Sequence, residues 1–173
     1  TAAVRLIAVS LMVIGLGAAL GFIPGFVATE IRSDLDVSRG QVGLIVSVYF
    51  GCTGLGSMLG GRMTEWLGAR MVVVIDMLLV AGAALFTAMI GTYWALLVAG
   101  VIAGTGYALA NAGTNVAIGR VIPADRRTVA MAIKTAGVPV MAAISAAVGP
   151  WAAERWSWQA IWYTVAIIAA VAA

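Results

Sequence analysis

Residues Gly61 to Arg70 read GRMTEWLGAR. The stretch carries Arg62, Glu65 and Arg70 together with Gly61 and Gly68, and it sits between two long apolar runs. One run spans about Gln41 to Gly60 and the other about Met71 to Ile90. A membrane helix needs roughly 20 predominantly apolar residues, and each run meets that length. A charged, glycine-containing segment between two such runs reads as the loop of a membrane hairpin. Gly68 supplies the conformational freedom for a tight turn before the second helix.

Composition carries this reading to the whole chain. The 173 residues are 63% hydrophobic and 10% charged, with a mean hydropathy of +1.07. Soluble domains carry about 25% charged residues, and a soluble fold of this size lacks the interior to hide so much apolar surface. The bilayer is therefore the expected solvent, and membrane lipid the expected partner. No histidine is present, which removes histidine ligand sets, triads and relays. The single cysteine, Cys52, lies in an apolar run and reads as a small packing residue without an internal disulfide partner. The net charge of +3 comes from basic residues scattered through loops, so nucleic acid is not an expected partner. The first apolar run is too long for a cleavable leader and is followed by further spans.

Six segments qualify as spans. Helix 1 is expected over about Leu6 to Val27, helix 2 over Gln41 to Gly60 and helix 3 over Met71 to Ile90. Helix 4 is expected over Tyr93 to Gly119, helix 5 over Thr128 to Ala153, and helix 6 from Ser157 onward. The intervening loops hold Arg32 to Asp36, the Glu65 segment, Gly91-Thr92, Pro123 to Arg127, and Glu154-Arg155. Arg5, Arg62, Arg70, Arg120, Arg126 and Arg127 then fall on one side, and Arg32, Arg39 and Arg155 on the other. The excess of basic residues marks the cytoplasmic side, so the N-terminus and the Glu65 loop are expected there. Trp94, Trp151, Trp156, Trp158 and Trp162 fall near the outer face, as an interfacial aromatic belt would.

A shift of 89 residues places Gly15 on Gly104, Gly17 on Gly106, Leu20 on Leu109, Val27 on Val116, Gly60 on Gly149 and Glu65 on Glu154. Three helices is an odd number, so a second copy enters the membrane inverted. The expected architecture is an all-α membrane protein, with one six-helix transmembrane bundle over residues 1–173. Its two inverted three-helix repeat units cover about residues 1–91 and 92–173. Chance coincidence in a glycine- and alanine-rich chain is the competing explanation.

Helix association in lipid relies on close backbone approach at small residues. Gly17, Gly21 and Gly25 in helix 1, Gly51, Gly54, Gly56 and Gly60 in helix 2, and Gly100 and Gly104 in helix 4 form such stripes. Pro139 and Pro150 each remove a backbone donor and are expected to kink helix 5.

Charged side chains at membrane depth are costly and mark function. Lys134 lies about two turns into helix 5, and Asp76 somewhat less than two turns into helix 3. Tyr107, Asn111 and Asn115 follow at four-residue steps, which puts them on one face of helix 4. Asn115 and Lys134 lie at comparable depth from the Arg120 to Arg127 loop. A Lys134, Asn111, Asn115 and Tyr107 face suits a small polar or anionic solute, with an ammonium for charge and amides for direction. Two plainer alternatives stand beside it. Lys134 snorkels to the surface on its long stem, or the polar face is a hydrogen-bond ladder between helices 4 and 5. Asp76 also has a plain structural alternative, capping or pairing near the Arg70 end of its helix.

The Gly61 to Arg70 stretch resembles the loop signature of the major facilitator superfamily, G-x-L-a-D-r-x-G-r-r/k. Gly61, Met63, Glu65, Gly68 and Arg70 stand on its positions. Glu65 replaces the usual acid Asp, and Trp66 and Ala69 replace usual basic residues. Ala136, Ser145, Gly149, Pro150, Ala153 and Glu154 follow the spacing of a second motif of that family, G-x8-G-x3-G-P-x2-G-G. Only Gly149-Pro150 is kept literally. Gly104-Thr105-Gly106 matches the end of the R-x-x-q-G-x-G arrangement of drug exporters, but Gly100 stands where their arginine would. The segment Ile133 to Pro139 is similar to stretches of cyanate- and nitroimidazole-type members.

The resemblance covers essentially the whole chain and implies the N-terminal half of a twelve-helix transporter. It implies a small-molecule substrate and a second six-helix half as partner, from the same chain or another copy. By the resemblance, Gly61, Glu65, Gly68 and Arg70 act as a conformational latch, and Gly149 and Pro150 serve gating or packing in helix 5. The apolar end at Val171-Ala172-Ala173 is expected to be a truncation. The expected function is secondary active transport of a small solute, with an organic anion as the candidate, across a bacterial inner membrane. A scaffold or assembly protein of the same fold, or a drug exporter, is the alternative. No nucleophile with a base, metal cluster or phosphate loop is present, so no enzyme activity, cofactor or metal is expected.

Overall fold

The structure, a computed structural model, describes residues 2–173. It is all-helical. The elements are α1 (Ala2–Phe26), α2 (Ala28–Leu35), α3 (Arg39–Leu67), α4 (Ala69–Ile90), α5 (Tyr93–Val121), α6 (Ala124–Thr135), α7 (Gly137–Arg155) and α8 (Trp158–Ala172). Among the described residues, five helical segments are long and apolar enough to cross a membrane: α1, α3, α4, α5, and α6 with α7 taken together. The expected sixth span is the shorter α8, with 15 residues. At 1.5 Å per residue it is about 22 Å long, less than the roughly 30 Å of a hydrocarbon core.

The helix starts are written locally. Ser38 accepts from the Gln41 amide while the Gln41 side chain accepts from the Ser38 amide, a reciprocal cap on α3. Thr92 caps α5 through the Ala95 amide, and Ser157 caps α8 through the Ala160 amide. The expected loop from Gly61 to Arg70 is a correction. Helix α3 continues through Leu67 and α4 begins at Ala69, so the connection is Gly68 alone, at φ 81°. The charges misled because nothing from Gly61 to Leu67 stops a helix; the first residue that does is a glycine at positive φ. The expected loop at Arg32 to Asp36 is likewise mostly helix, ending where Asp36 turns left-handed at φ 50°.

Helix 5 is interrupted at a single residue: Ala136 keeps helical angles (φ −60°, ψ −17°), and backbone bonds run across it from Ala136 N to Ala132 O and from Val140 N to Ala136 O. The interruption lies at Ala136, between α6 and α7, while Pro150 is accommodated inside α7. Pro139 removes the donor that would reach Thr135, and its ring crowds that carbonyl, which accounts for the break one residue later. The two repeat units differ here. The 89-residue shift sets the Val27 break between α1 and α2 on Val116, inside the unbroken α5, and sets the Ala136 break on Ser47, inside the unbroken α3.

Packing is by close approach. α5 runs along α3 and α4, α1 along α7 and α5, and α4 along α8. Gly56 and Gly60 lie on α5, where an added Cβ would meet Ala108 and Ala112 at 3.1 Å. Gly104 lies against the Tyr49 carbonyl, and Gly15 and Gly137 let the backbones of α1 and α7 touch. The expected stripe is narrower than the sequence indicated, since Gly25, Gly51 and Gly54 face open space. α1 and α5 bury 61% and 56% of their apolar stretches, whereas α3 and the α6–α7 segment bury 22% and 17%.

The expected tryptophan belt also needs correction. Trp94, Trp151 and Trp156 are exposed, but Trp158 and Trp162 are buried and pack edge-on, with ring centroids 5.3 Å apart. Trp158 Nε1 donates to Asp34 Oδ2 at 2.7 Å, and Gln159 Nε2 donates to the same oxygen at 3.2 Å. These bonds fasten the end of α2 to the start of α8. A hydrogen bond to a charged group contributes about 1.5–3 kcal/mol, and exposure of Asp34 reduces that. Asp34→Ala should therefore cost about 1–2 kcal/mol, read as a lower Tm in a thermal melt. An unchanged Tm would remove the fastening role.

Candidate functional site

Lys134 occupies the last turn of α6, just before the break at Ala136. Its side chain is 2% exposed, so it does not snorkel. The break and the close α1–α7 crossing turn it inward against α5 instead. Its Nζ donates to Asn111 Oδ1 and Asn115 Oδ1, each at 2.6 Å. Such short contacts are typical of charge-assisted bonds. An ammonium has three donors, and two are used here. The one ion pair among the described residues is Asp125 with Arg126, at 3.6 Å on the exposed surface. Lys134 therefore has no carboxylate within ion-pair distance. Two amide dipoles hold it while its positive charge stays uncompensated.

Three of the four expected site residues thus converge, and Tyr107 departs from them. It shares their α5 face but points at α1, where an added Cβ on Gly17 would lie 3.1 Å from its ring. Tyr107 tilts against Tyr49 with ring centroids 6.2 Å apart. Tyr49 was not singled out from the sequence. It is fully buried, and its hydroxyl donates to the Gly17 carbonyl at 2.8 Å. A tyrosine hydroxyl within an apolar span was the available signal, since a buried phenol must find an acceptor.

Asp76 joins this second group. It is 0% exposed, and neither carboxyl oxygen has a hydrogen-bond partner. The positions of Gly17 and Gly106 border it, at 3.5 Å from Oδ2 and 2.8 Å from Oδ1 for an added Cβ. No cap or pairing partner is present for it, so the plain structural alternative fails. The two groups lie along one helix, Lys134 at Asn111 and Asn115, and Asp76 at Gly106.

The remaining expected residues lie apart from both groups. Gly61, Glu65 and Arg70 are exposed at the α3–α4 end, and Gly68 makes the turn between them. Gly149 is buried beside Val27, and Pro150 continues α7. Gly149 helps line an apolar cleft of about 240 Å³ between α1, α7 and α8, with Leu16, Ile23, Met141 and Val165. Ser145 and Thr164 are its polar side chains, which suits a hydrocarbon occupant better than a charged solute.

The chain combines a bundle of membrane-length helices with small-residue crossings, a glycine turn after Glu65, and a buried cation on paired amides. The family model of the Major Facilitator Superfamily matches residues 6–173, and the chain belongs to that superfamily.

Proposed function

We propose that the protein is a secondary active transporter that moves a small anionic solute across the membrane by alternating access. Lys134 carries this reading: a buried ammonium without a counter-carboxylate, whose remaining donor can meet an anion. Burying a charge is expensive unless it is paired, so a solute carboxylate or similar group completes the site. Asn111 and Asn115 fix the ammonium's direction, and Tyr107 bounds the polar face toward α1.

The reading extends to the fold. α8 serves as the sixth crossing of an inverted three-plus-three unit. A second six-helix half, from the same chain or another copy, completes the cavity by rocking against this one. The openness of α3 and of the α6–α7 segment supports their facing that half. Glu65, with Gly61, Gly68 and Arg70, then latches the cytoplasmic side, and Gly149 and Pro150 let α7 pack and gate. The proposed location is a bacterial inner membrane, and the distribution of basic residues supports an N-terminus in the cytoplasm.

The test is flux into proteoliposomes loaded with the purified protein. The panel is radiolabelled mono- and dicarboxylates, with a cationic dye as the drug-type probe, each with and without a pH gradient. Saturable carboxylate flux above protein-free vesicles is expected. Movement of the dye alone would replace this reading with a drug exporter, and no movement of any probe would replace it with a scaffold.

A further inference from the structure

We propose that the Lys134 site is built from donors alone, so that it takes simple carboxylates and rejects solutes that carry an ammonium beside the carboxylate. The proposal deepens the transporter reading above and rests on its placing of Lys134 at the solute. The orientation of the two amides follows from elementary chemistry. A lysine ammonium has three donors and no acceptor, so a side-chain amide that meets it must present its oxygen. Both do so, with Asn111 Oδ1 and Asn115 Oδ1 each 2.6 Å from Nζ. Each amide nitrogen is thereby turned away from the ammonium, and among the described residues neither has a partner of its own. Asn115 is exposed and Asn111 half-buried. The buried polar atoms left without a partner are Arg32 Nε and the two Asp76 oxygens, so Asn111 Nδ2 is not sealed inside. A solute therefore meets the remaining ammonium N–H and the N–H groups of two amides.

The same surroundings offer little to a solute's own donor. Among the described residues no carboxylate lies within ion-pair distance of Lys134. Asp125 stands about 13 Å away along α6 and pairs with Arg126. Asp76 borders Gly106, about 7 Å of helix from Asn111, and is fully buried. α1 packs on α6 with the apolar Ala3, Leu6 and Ile7. The Thr114 hydroxyl is turned back on its own helix, donating to the Ala110 and Asn111 carbonyls. Each amide oxygen keeps a second lone pair, but that lone pair lies beside the ammonium. A solute cation placed there meets like-charge repulsion at a site where Lys134 is 2% exposed and screening is weak.

Lys134 is the chain's sole lysine, which gives a readout independent of flux. The full chain, labelled with nitrogen-15 at the lysine side chain and held in lipid vesicles, should show a single lysine ammonium resonance by solid-state NMR. The probes are acetate against glycine and succinate against aspartate, pairs that differ by one ammonium group. Acetate and succinate are expected to shift the resonance saturably, and glycine and aspartate to need at least about tenfold higher concentration. Asn115→Asp keeps an oxygen for Nζ, removes an amide donor and sets a fixed carboxylate beside the ammonium. It should retain the resonance and weaken the response to acetate and succinate by the same factor. An unchanged response in that variant would overturn the proposal. Equal response to the two members of a pair in the wild type would overturn it whether or not the variant folds, and so would a resonance that no carboxylate moves. If the carboxylates shift the resonance as expected while the flux panel stays silent, the recognition rule stands and the transporter reading falls. Carboxylate flux over an unmoved resonance would do the reverse.

Discussion

Gly137→Val will prevent the bundle from assembling. The backbone of α7 crosses α1 with Gly137 against the Leu11 carbonyl and Gly15 against the Gly137 carbonyl. A Cβ on Gly15 would sit 2.7 Å from that oxygen, and one on Gly137 would penetrate the Leu11 carbonyl itself. Neither obstacle is the movable tip of a side chain, so relief requires the helices to separate. Overpacking of a core costs about 1–3 kcal/mol where side chains can yield, and a backbone clash lies at or beyond the upper end. The expected result is loss of the monodisperse peak in size-exclusion chromatography and loss of a cooperative melt. Gly51→Val is the matched control, since nothing lies within 4 Å of that position. It should stay within about 0.5 kcal/mol of the wild type. A Gly137→Val protein that melts like the control would refute the crossing.

Lys134→Met will keep the fold and lose transport. Methionine approximates the lysine stem and removes the ammonium. Asn115 is exposed and recovers its bond from water, while Asn111 is half-buried and loses its donor. An unsatisfied buried acceptor costs about 1–3 kcal/mol. Against that stands the relief of no longer burying a charge without a counter-ion. The two offset, and Tm should move little. Flux of the solute identified by the panel should fall at least about tenfold, equivalent to about 1.4 kcal/mol. Lys134→Arg should not restore it, because the longer, planar guanidinium fork cannot place its donors where the compact ammonium stands between the two amides. The measurement is initial flux normalised to folded protein. Unchanged flux in Lys134→Met would exclude Lys134 from the transport site.

The parts of this molecule that were legible in the sequence are those fixed by local chemistry. Apolar length located five of the six expected spans, and i to i+4 spacing placed Asn111 and Asn115 on one face at the depth of Lys134. What escaped depended on distant contacts. Asp34 and Trp158 are 124 residues apart, and no pattern near either shows that they meet. The isolation of Asp76 exists because Gly17, Tyr49 and Gly106 arrive from three other helices. The Gly61 to Arg70 segment was misread for the opposite reason. Its charges suggested water, but helix formation tolerates charge as readily as apolar residues, and Gly68 alone decides the boundary.

The break at Ala136 has a mechanical consequence. α6 is an arm of 12 residues, about 18 Å long, that joins an α7 clamped against α1 and itself packs on α1 and α5. Swinging that arm by about ten degrees would carry Pro123, at its far tip, by about 3 Å. Lys134 stands two residues from the pivot and would travel well under about 1 Å. The ammonium sits beside the pivot, so a swing of α6 would leave Lys134 in register with the amides of α5.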